Sequence, residues 1–573
     1  MSYEGAILPG GGSSPSPTSP SKVAGQMVRS LRQPKRRRGR IALASILGLM
    51  ILSFLTGRRK AFDYNHYIAN GLAMPNAVSR AESTTLPVDE RTPVESSHSK
   101  PNFHLLIPAR RSNLNLCKTL LSAAVLNYPP PTLISYGLNA TGQPLEVDIK
   151  HALLNRQDDD LALLVDQNTF FQLPAEVMIS RFDDELKRSD ERLRETYDDS
   201  EQEHRQEGSH VKGPIPLQRR RYHQKVIFAA NKPCQPHSVG SLACQDTSPA
   251  SLTDEIYGAE PAVANQGPRY LAAHGVMGRV SHLVPVYDRA INKIAEEGSD
   301  GSSSQRIFSE IFAEQAAQRS LHLRKAGSTW KQFLRGLFRT QKETASIGSP
   351  NITAVSDSNL EFGMGIDYRN SIFQTMDNSI TDMEFVNFEQ ADAAAAVPDR
   401  GGRHLRHKHF PQDLSRMSPP YAQHRGVEQQ VSNLHPVPED RKWDEVDLAT
   451  NVAVPGGSVP TALRFNPVDT LLEKWWPKMW YQPHARALLH RYMRSPQTPV
   501  AAEAAAQGGD TWWDLRGGKG GVWTDQGEWL EWNEVCGEYD DAVFMDGKGV
   551  FGKEDGDSPV YNSFGKLIAH QEP

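Results

Sequence analysis

The chain is poor in several things that mark common functional classes. It has 573 residues but only four cysteines, Cys117, Cys234, Cys244 and Cys536. None sits in a C-x-x-C spacing, which argues against a structural zinc site. No glycine-rich phosphate loop follows a strand, and no Ser/His/Asp nucleophile motif is present. There is no excess of basic charge: the net charge is -5. Nucleic acid is therefore not an expected partner. Apolar residues are also scarce, at 38%, with a mean hydropathy of -0.53. That is low for a wholly folded enzyme, so part of the chain is expected to be disordered.

One long apolar run stands out against this background. Residues 41–57 are uncharged and mostly apolar, and seventeen helical residues reach roughly 25 Å, enough for a thin bilayer. Seven basic residues lie shortly before the run and three directly after it. The positive-inside rule then leaves the N-terminus in the cytosol and the rest in the lumen. The expected layout is a disordered cytosolic tail (1–40), a transmembrane signal anchor (41–57) and a luminal stem (58–100). A cleaved signal peptide is the competing reading. It fits poorly, because its n-region would be forty residues long and Ser53-Phe54-Leu55-Thr56 is a poor cleavage site.

From residue 101 onward apolar runs alternate with helical periodicity. "NFHLLIPA", "PTLISYG", "LALLVD" and "KVIFAAN" read as strands. "LCKTLLSAAVLNY", "VDIKHALLNRQ" and "PAEVMISRFDDELKRSDERLRETY" read as helices between them. Near-continuous apolar strands alternating with helices predict an α/β fold, a mostly parallel sheet covered on both faces. Ligands of such sheets sit at the C-terminal strand ends, where Asp166 and Asn231 fall. Residues 183–222 form a charge-dense segment, read as an insertion or the continuation of a solvated helix. Residues 393–440, rich in His, Arg and Pro without periodicity, read as a disordered insertion. The folded domain thus spans 101–392 and resumes at 441–573. N-x-S/T acceptors at Asn139 and Asn351 are candidate glycosylation sites.

Several stretches occur in an order that resembles one family. They are "HLLIPARRSNLNLCKTLLSA", "LALLVDQNTFFQLPAEVMISRF", "KVIFAANKPCQP", "RYLAAHGVMG", "SQRIFSEIFAEQ", "EFGMGIDYRNSIFQTMDNS", "LRFNPVDTLLEKWWPKMW" and "GGVWTDQGEWLEWNEVCGE". The series resembles fungal membrane-anchored proteins similar to the glycosyltransferase module of animal procollagen lysyl hydroxylases and collagen galactosyltransferases. The resemblance implies a GT-A-like fold and transfer of a hexose from a UDP-sugar to a hydroxyl on a protein or glycan acceptor. It also implies a divalent cation, Mn or Mg, at the diphosphate and residence in the Golgi or ER membrane. A catalytically inactive binding or assembly protein of the same fold is the alternative.

Asp166 and Asn168 are the expected metal ligands. Lys232, Asp367, Arg464 and Asn466 are the expected nucleotide or substrate contacts. No acceptor base is assigned. The polar positions depart from the family pattern together. The second acid after Asp166 is missing, Asn231-Lys232 replaces Asp-Lys, and Ala272-Ala273-His274-Gly275 follows "RYL". Ser303-Ser304-Gln305 precedes the amphipathic helix, and Arg464-Phe465-Asn466-Pro467 stands where His-x-Asn-Gly is usual. Arg464 cannot ligate a metal but suits a diphosphate. Asp166 and Asp367 equally fit turns with local backbone bonds, and Lys232 equally fits a solvated cation. Cys234 and Cys244 flank a ten-residue loop, an expected disulfide. Trp475, Trp476, Trp480 and Tyr481 are either core or a sugar platform.

Overall fold

Strand-length apolar runs and amphipathic helices assemble here into a sheet that is buried on both sides. The computed structural model describes residues 102–138, 143–198, 222–234, 242–244, 267–297, 303–326, 360–395, 409–422, 437–454, 456–466, 470–493, 519–553, 559–561 and 567–570. The anchor run 41–57, Asn139 and Asn351 lie outside them. Among the described residues no helix is long and apolar enough to cross a membrane.

In chain order the elements begin with β1 (Phe103–Pro108), α1 (Leu114–Val125), β2 (Thr132–Ile134), α2 (Leu145–Leu154), β3 (Leu161–Val165), β4 (Thr169–Phe171) and α3 (Ala175–Leu193). They continue with β5 (Val226–Asn231), β6 (Tyr270–Arg279), α4 (Val280–Glu297), α5 (Ser304–Ala326), β7 (Met364–Ile366), β8 (Phe373–Thr375) and β9 (Met383–Val386). The C-terminal part adds β10 (Leu448–Asn451), β11 (Ala462–Arg464), α6 (Ala485–Tyr492), β12 (Gly521–Thr524) and β13 (Trp529–Glu531).

Eight strands form the main sheet in the order β13-β12-β2-β1-β3-β6-β5-β7. Neighbours β12/β2, β2/β1, β1/β3 and β5/β7 are parallel. Long β6 runs antiparallel between β3 and β5, and β13 closes one edge as a hairpin. The strand period of two splits the core. Leu105, Ile107, Leu163 and Val165 face α1 and α6, whereas Leu106, Leu164 and Phe228 face α2, α4 and α5. β6 is the main-sheet strand between β3 and β5 that the apolar pattern does not mark. "LAAHGVMG" mixes small, polar and apolar residues, so its pattern is neither alternating nor continuously apolar.

A smaller three-stranded sheet, β4-β11-β8, joins three distant segments. Its register sets Arg464 opposite Thr169 on β4 and Thr375 on β8. This register is what assembles the site below.

Both segments read as insertions contain described residues that pack on the core. The charge-dense segment is ordered helix up to Asp198, through α3 and one π-helical turn. Buried Glu185 there is paired with Arg188 and Arg192, which explains how so polar a face packs. Within 393–440, residues 409–422 are not an insertion detached from the core. Leu414 and Tyr421 are buried, the Tyr421 hydroxyl donates to the Trp480 carbonyl, and Asp413 pairs with Arg181 at 2.6 Å. Trp475, Trp476, Trp480 and Tyr481 are buried in the same core, so they are packing residues.

All four cysteines are paired. Cys234–Cys244 is the expected disulfide, and Cys117–Cys536 closes a loop with a sequence separation of 419. The second bond ties α1 to the segment following β13, and both of its cysteines are fully buried. Cross-linking so long a loop restricts the unfolded chain strongly. Cys117→Ser with Cys536→Ser is expected to lower unfolding free energy by about 2–5 kcal/mol. A denaturant titration checks this, and an unchanged midpoint would contradict it.

Candidate functional site

A cavity of about 570 Å³ opens at the C-terminal ends of β1 and β3. Asp166 directly follows β3 and lines the cavity, with Asn168, His274, Asp377, Arg464 and Glu146. The turn after β3 builds the floor. Asp166 Oδ1 accepts from the Asn168 backbone N–H and from the Thr169 hydroxyl, both at 3.0 Å. That is an aspartate turn of the kind such residues favour after strands. The other oxygen, Oδ2, accepts from Arg464 Nε at 2.9 Å. Arg464 Nη1 donates in turn to Asp377 Oδ2 at 2.7 Å.

The register of the small sheet explains this convergence. Arg464 sits opposite Thr169 and Thr375. Asp166 lies three residues before the first, and Asp377 two after the second. Backbone bonds pin both approaches: Phe465 N–H to the Asn168 carbonyl at 3.0 Å, and Met376 N–H to the Arg464 carbonyl at 2.9 Å. All three charged side chains are mostly sheltered, with exposures of 19%, 27% and 24% for Arg464, Asp166 and Asp377. Burial alone would make the guanidinium less basic. The two carboxylates outweigh it and raise Arg464 above its ordinary range.

This donor set does not fit a divalent cation. Hard cations require several oxygens with free lone pairs directed at one point. Asp166 already serves a backbone N–H, a hydroxyl and the guanidinium, and Asn168 Oδ1 accepts from Asn115 Nδ2 at 2.9 Å. Among the described residues no group of three or more His, Cys, Asp or Glu is placed to hold a metal ion. The expected Asp166–Asn168 metal pair is thus replaced by an Asp166–Arg464–Asp377 ion-pair cluster.

The other expected residues divide. Lys232 does not line the cavity; it pairs with Asp382 at 2.5 Å, while its neighbour Asn231 does line it. Asp367 is fully buried and outside the cavity. Its carboxylate accepts from the backbone N–H groups of Ser371, Ile372 and Phe373, so the turn reading holds. Burial pushes it up to about 6, with Glu185 adding to the rise and the three backbone donors opposing it. Asn466 is exposed and outside the cavity lining. Asp160 stands at the opposite end of β3, where it accepts from the Asn102 N–H and pairs with His104.

Sequence reasoning missed Asp377 and the role of His274. Asp377 lies two residues after β8, whose Phe373-Gln374-Thr375 lacks the continuous apolar run that precedes Asp166. His274 lies on β6, and its carbonyl accepts from the Asp166 N–H at 3.1 Å. The Thr375 hydroxyl donates to the Ala230 carbonyl at 2.6 Å, so the 3.1 Å contact with His274 Nε2 requires the imidazole to donate. Burial, then Arg464, push this imidazole down to about 3, with Asp166 partly opposing. His274 is neutral at physiological pH.

No protein-family model matches this chain, and no curated protein matches it.

A pH consequence follows from His274. Its folded pKa lies below that of the unfolded chain, so the unfolded state binds the extra proton between about pH 6.5 and 3. The stability that the neutral form contributes is complete above pH 6.5 and is lost as pH falls through that window. His274→Gln is expected to reduce the slope of stability against pH by about 1.4 kcal/mol per unit between pH 6 and 4. Denaturant titrations at several pH values check it, and an unaltered slope would contradict it.

Proposed function

We propose that this chain is a glycosyltransferase-like protein of the secretory pathway, held in the Golgi or ER membrane by residues 41–57. Its luminal, GT-A-like domain uses the cavity beside Asp166 as a donor site. The proposed reaction is hexose transfer from a UDP-sugar to a hydroxyl of a protein or glycan acceptor. The observation that carries the reading is the Asp166–Arg464–Asp377 cluster at the C-terminal end of a central strand. The long antiparallel strand among parallel neighbours and the ordered series of sequence motifs support the same reading. Complete pairing of the cysteines supports an oxidising compartment.

The chemistry is derived from the residues present. A sugar diphosphate leaves as an anion, and its departure requires positive charge fixed nearby. Arg464 supplies it without a metal. Its N–H groups beyond those given to Asp166 and Asp377 are donors for phosphate oxygens. The acceptor oxygen attacks the anomeric carbon, the bond to the β-phosphate oxygen breaks, and UDP departs. Asp377 takes the acceptor proton. Neutral His274 orients polar groups in the cleft without adding charge.

A second reading, sugar binding without transfer, is favoured by the charge of the cavity. Among the described lining residues, Glu146, Asp166 and Asp377 supply three carboxyl groups against the guanidinium of Arg464. A net negative wall repels a diphosphate and suits a neutral polyol.

Calorimetric titration of the detergent-solubilised full chain with UDP separates the two. The transferase reading expects UDP binding that Mn²⁺ does not strengthen and that Arg464→Ala weakens by about tenfold or more, or ~1.4 kcal/mol. Absence of UDP binding with and without Mn²⁺ would overturn the transferase reading in favour of the second.

A further inference from the structure

A second cavity, of about 500 Å³, lies along the edge of the sheet where β12 pairs with β2. Its volume falls in the usual small-molecule range, roughly 300–1,000 Å³. It shares no lining residue with the cleft at Asp166. Helix α2 connects the two: Glu146 and Ile149 near its start line the first cavity, and Ala152 near its end lines the second. Ten helical residues set the two ends about 15 Å apart.

The wall of this groove is aromatic. Trp523 and Trp529 meet edge to face with ring centroids 4.9 Å apart. Trp529 is buried, whereas Trp523 is partly exposed. Around them stand side chains of both hydrogen-bonding senses. Arg156 and Asn155 at the end of α2 are donors, and Asp525 in the β12–β13 turn is an acceptor. Arg156 Nη2 donates to the Thr132 hydroxyl at 2.9 Å, but the guanidinium meets no carboxylate within ion-pair distance among the described residues. Its Nε and the Trp529 Nε1 have no hydrogen-bond partner among the described residues. Buried donors left this way cost about 1–3 kcal/mol each. Asp525 accepts from the Ser135 N–H at 2.9 Å and from Gln526 at 3.2 Å, which leaves each of its oxygens a further lone pair.

We infer that the groove between Trp523, Arg156 and Asp525 is a second binding site, for a neutral hexose unit of a glycan. The sugar ring lies against the exposed face of Trp523, where its apolar C–H face meets the electron-rich ring. Its hydroxyls donate to Asp525 and accept from Arg156 and Asn155. The balance of charge selects a neutral ligand, because Arg156 and Asp525 offset one another and His104 is engaged by Asp160. The balance of donors selects a polyol over a proline-rich peptide. Such a peptide also fits aromatic grooves, but its prolines carry no N–H, so it brings fewer donors than a polyol to the remaining lone pairs of Asp525. The site is independent of the chemistry assigned to the Asp166 cleft.

Saturation-transfer NMR on the full chain in a sugar-free zwitterionic detergent tests this. The probes are glucose, galactose, mannose and N-acetylglucosamine at millimolar concentration. The expected result is transfer to the ring protons of at least one sugar, lost in Trp523→Ala, weakened in Asn155→Ala and retained when excess UDP is added to the wild-type chain. Asn155 is exposed at the end of α2, so its variant guards against misfolding of the tryptophan variant. No transfer for any sugar overturns the inference. So does transfer that survives both groove variants, or transfer abolished by excess UDP, which would assign the sugar to the first cleft. Displacement of the sugar is not expected with a synthetic peptide of residues 9–20; a peptide that binds the groove when no sugar does identifies it as a proline-rich peptide site instead.

Discussion

The guanidinium of Arg464, fixed between Asp166 and Asp377, is the interaction on which this molecule turns. It joins the end of a central strand, the small sheet and the loop after β8. Its worth does not come from an exposed ion pair, which contributes little. All three groups are mostly sheltered, and each carboxylate would face the other if the arginine were removed. Breaking such a partly buried cluster leaves uncompensated charge, which costs far more than the intact cluster gains. The cluster therefore constrains the site: the position is filled by a cation that belongs to the chain.

That constraint is delivered by registers set far away. β11 lies nearly three hundred residues beyond β3 in sequence, and the Arg464–Asp166 contact spans a separation of 298. β4 and β8 must flank β11 in one alignment, because a slip of one residue would turn Arg464 to the opposite face. The aromatic core beneath holds that alignment. Phe170 meets Phe465 and Trp476 with ring centroids 5.0 and 4.9 Å away, and the Tyr481 hydroxyl donates to the Phe171 carbonyl. The tryptophans of "EKWWPKMWYQ" thus serve the site from below. The Cys117–Cys536 bond adds a covalent tie between the first helix and the last ordered segment of the same core.

Much of the fold was legible because burial on both faces writes strands as apolar runs. β1, β2, β3 and β5 and their intervening helices fall where that pattern puts them. β6 escaped because "LAAHGVMG" carries His274 and glycines for reasons other than strand propensity. Gly275 shows one of them: a Cβ there would stand 3.0 Å from the Phe373 ring. The position of the site was legible, whereas the pairing of its side chains was not. Asp166, Asn168 and Arg464 do converge, with Asp166 paired to Arg464 and Asn168 bonded to Asn115. Lys232 and Asp367 carry charge for structural reasons, one in an ion pair and one capping a turn. Such pairings depend on long-range register, which local sequence does not encode. Asp377 belongs to the same class, since only the β8–β11 alignment brings it to Arg464.

The central claim is that Arg464 takes the place of a divalent cation. Electron paramagnetic resonance of Mn²⁺ titrated into the purified full chain tests it directly, because bound ions lose the sharp signal of the free aqueous ion. The account predicts that the free-ion signal grows with added Mn²⁺ as it does in buffer, in the wild-type chain and in Asp166→Ala alike. Stoichiometric loss of that signal in the wild type, restored by Asp166→Ala, would contradict it.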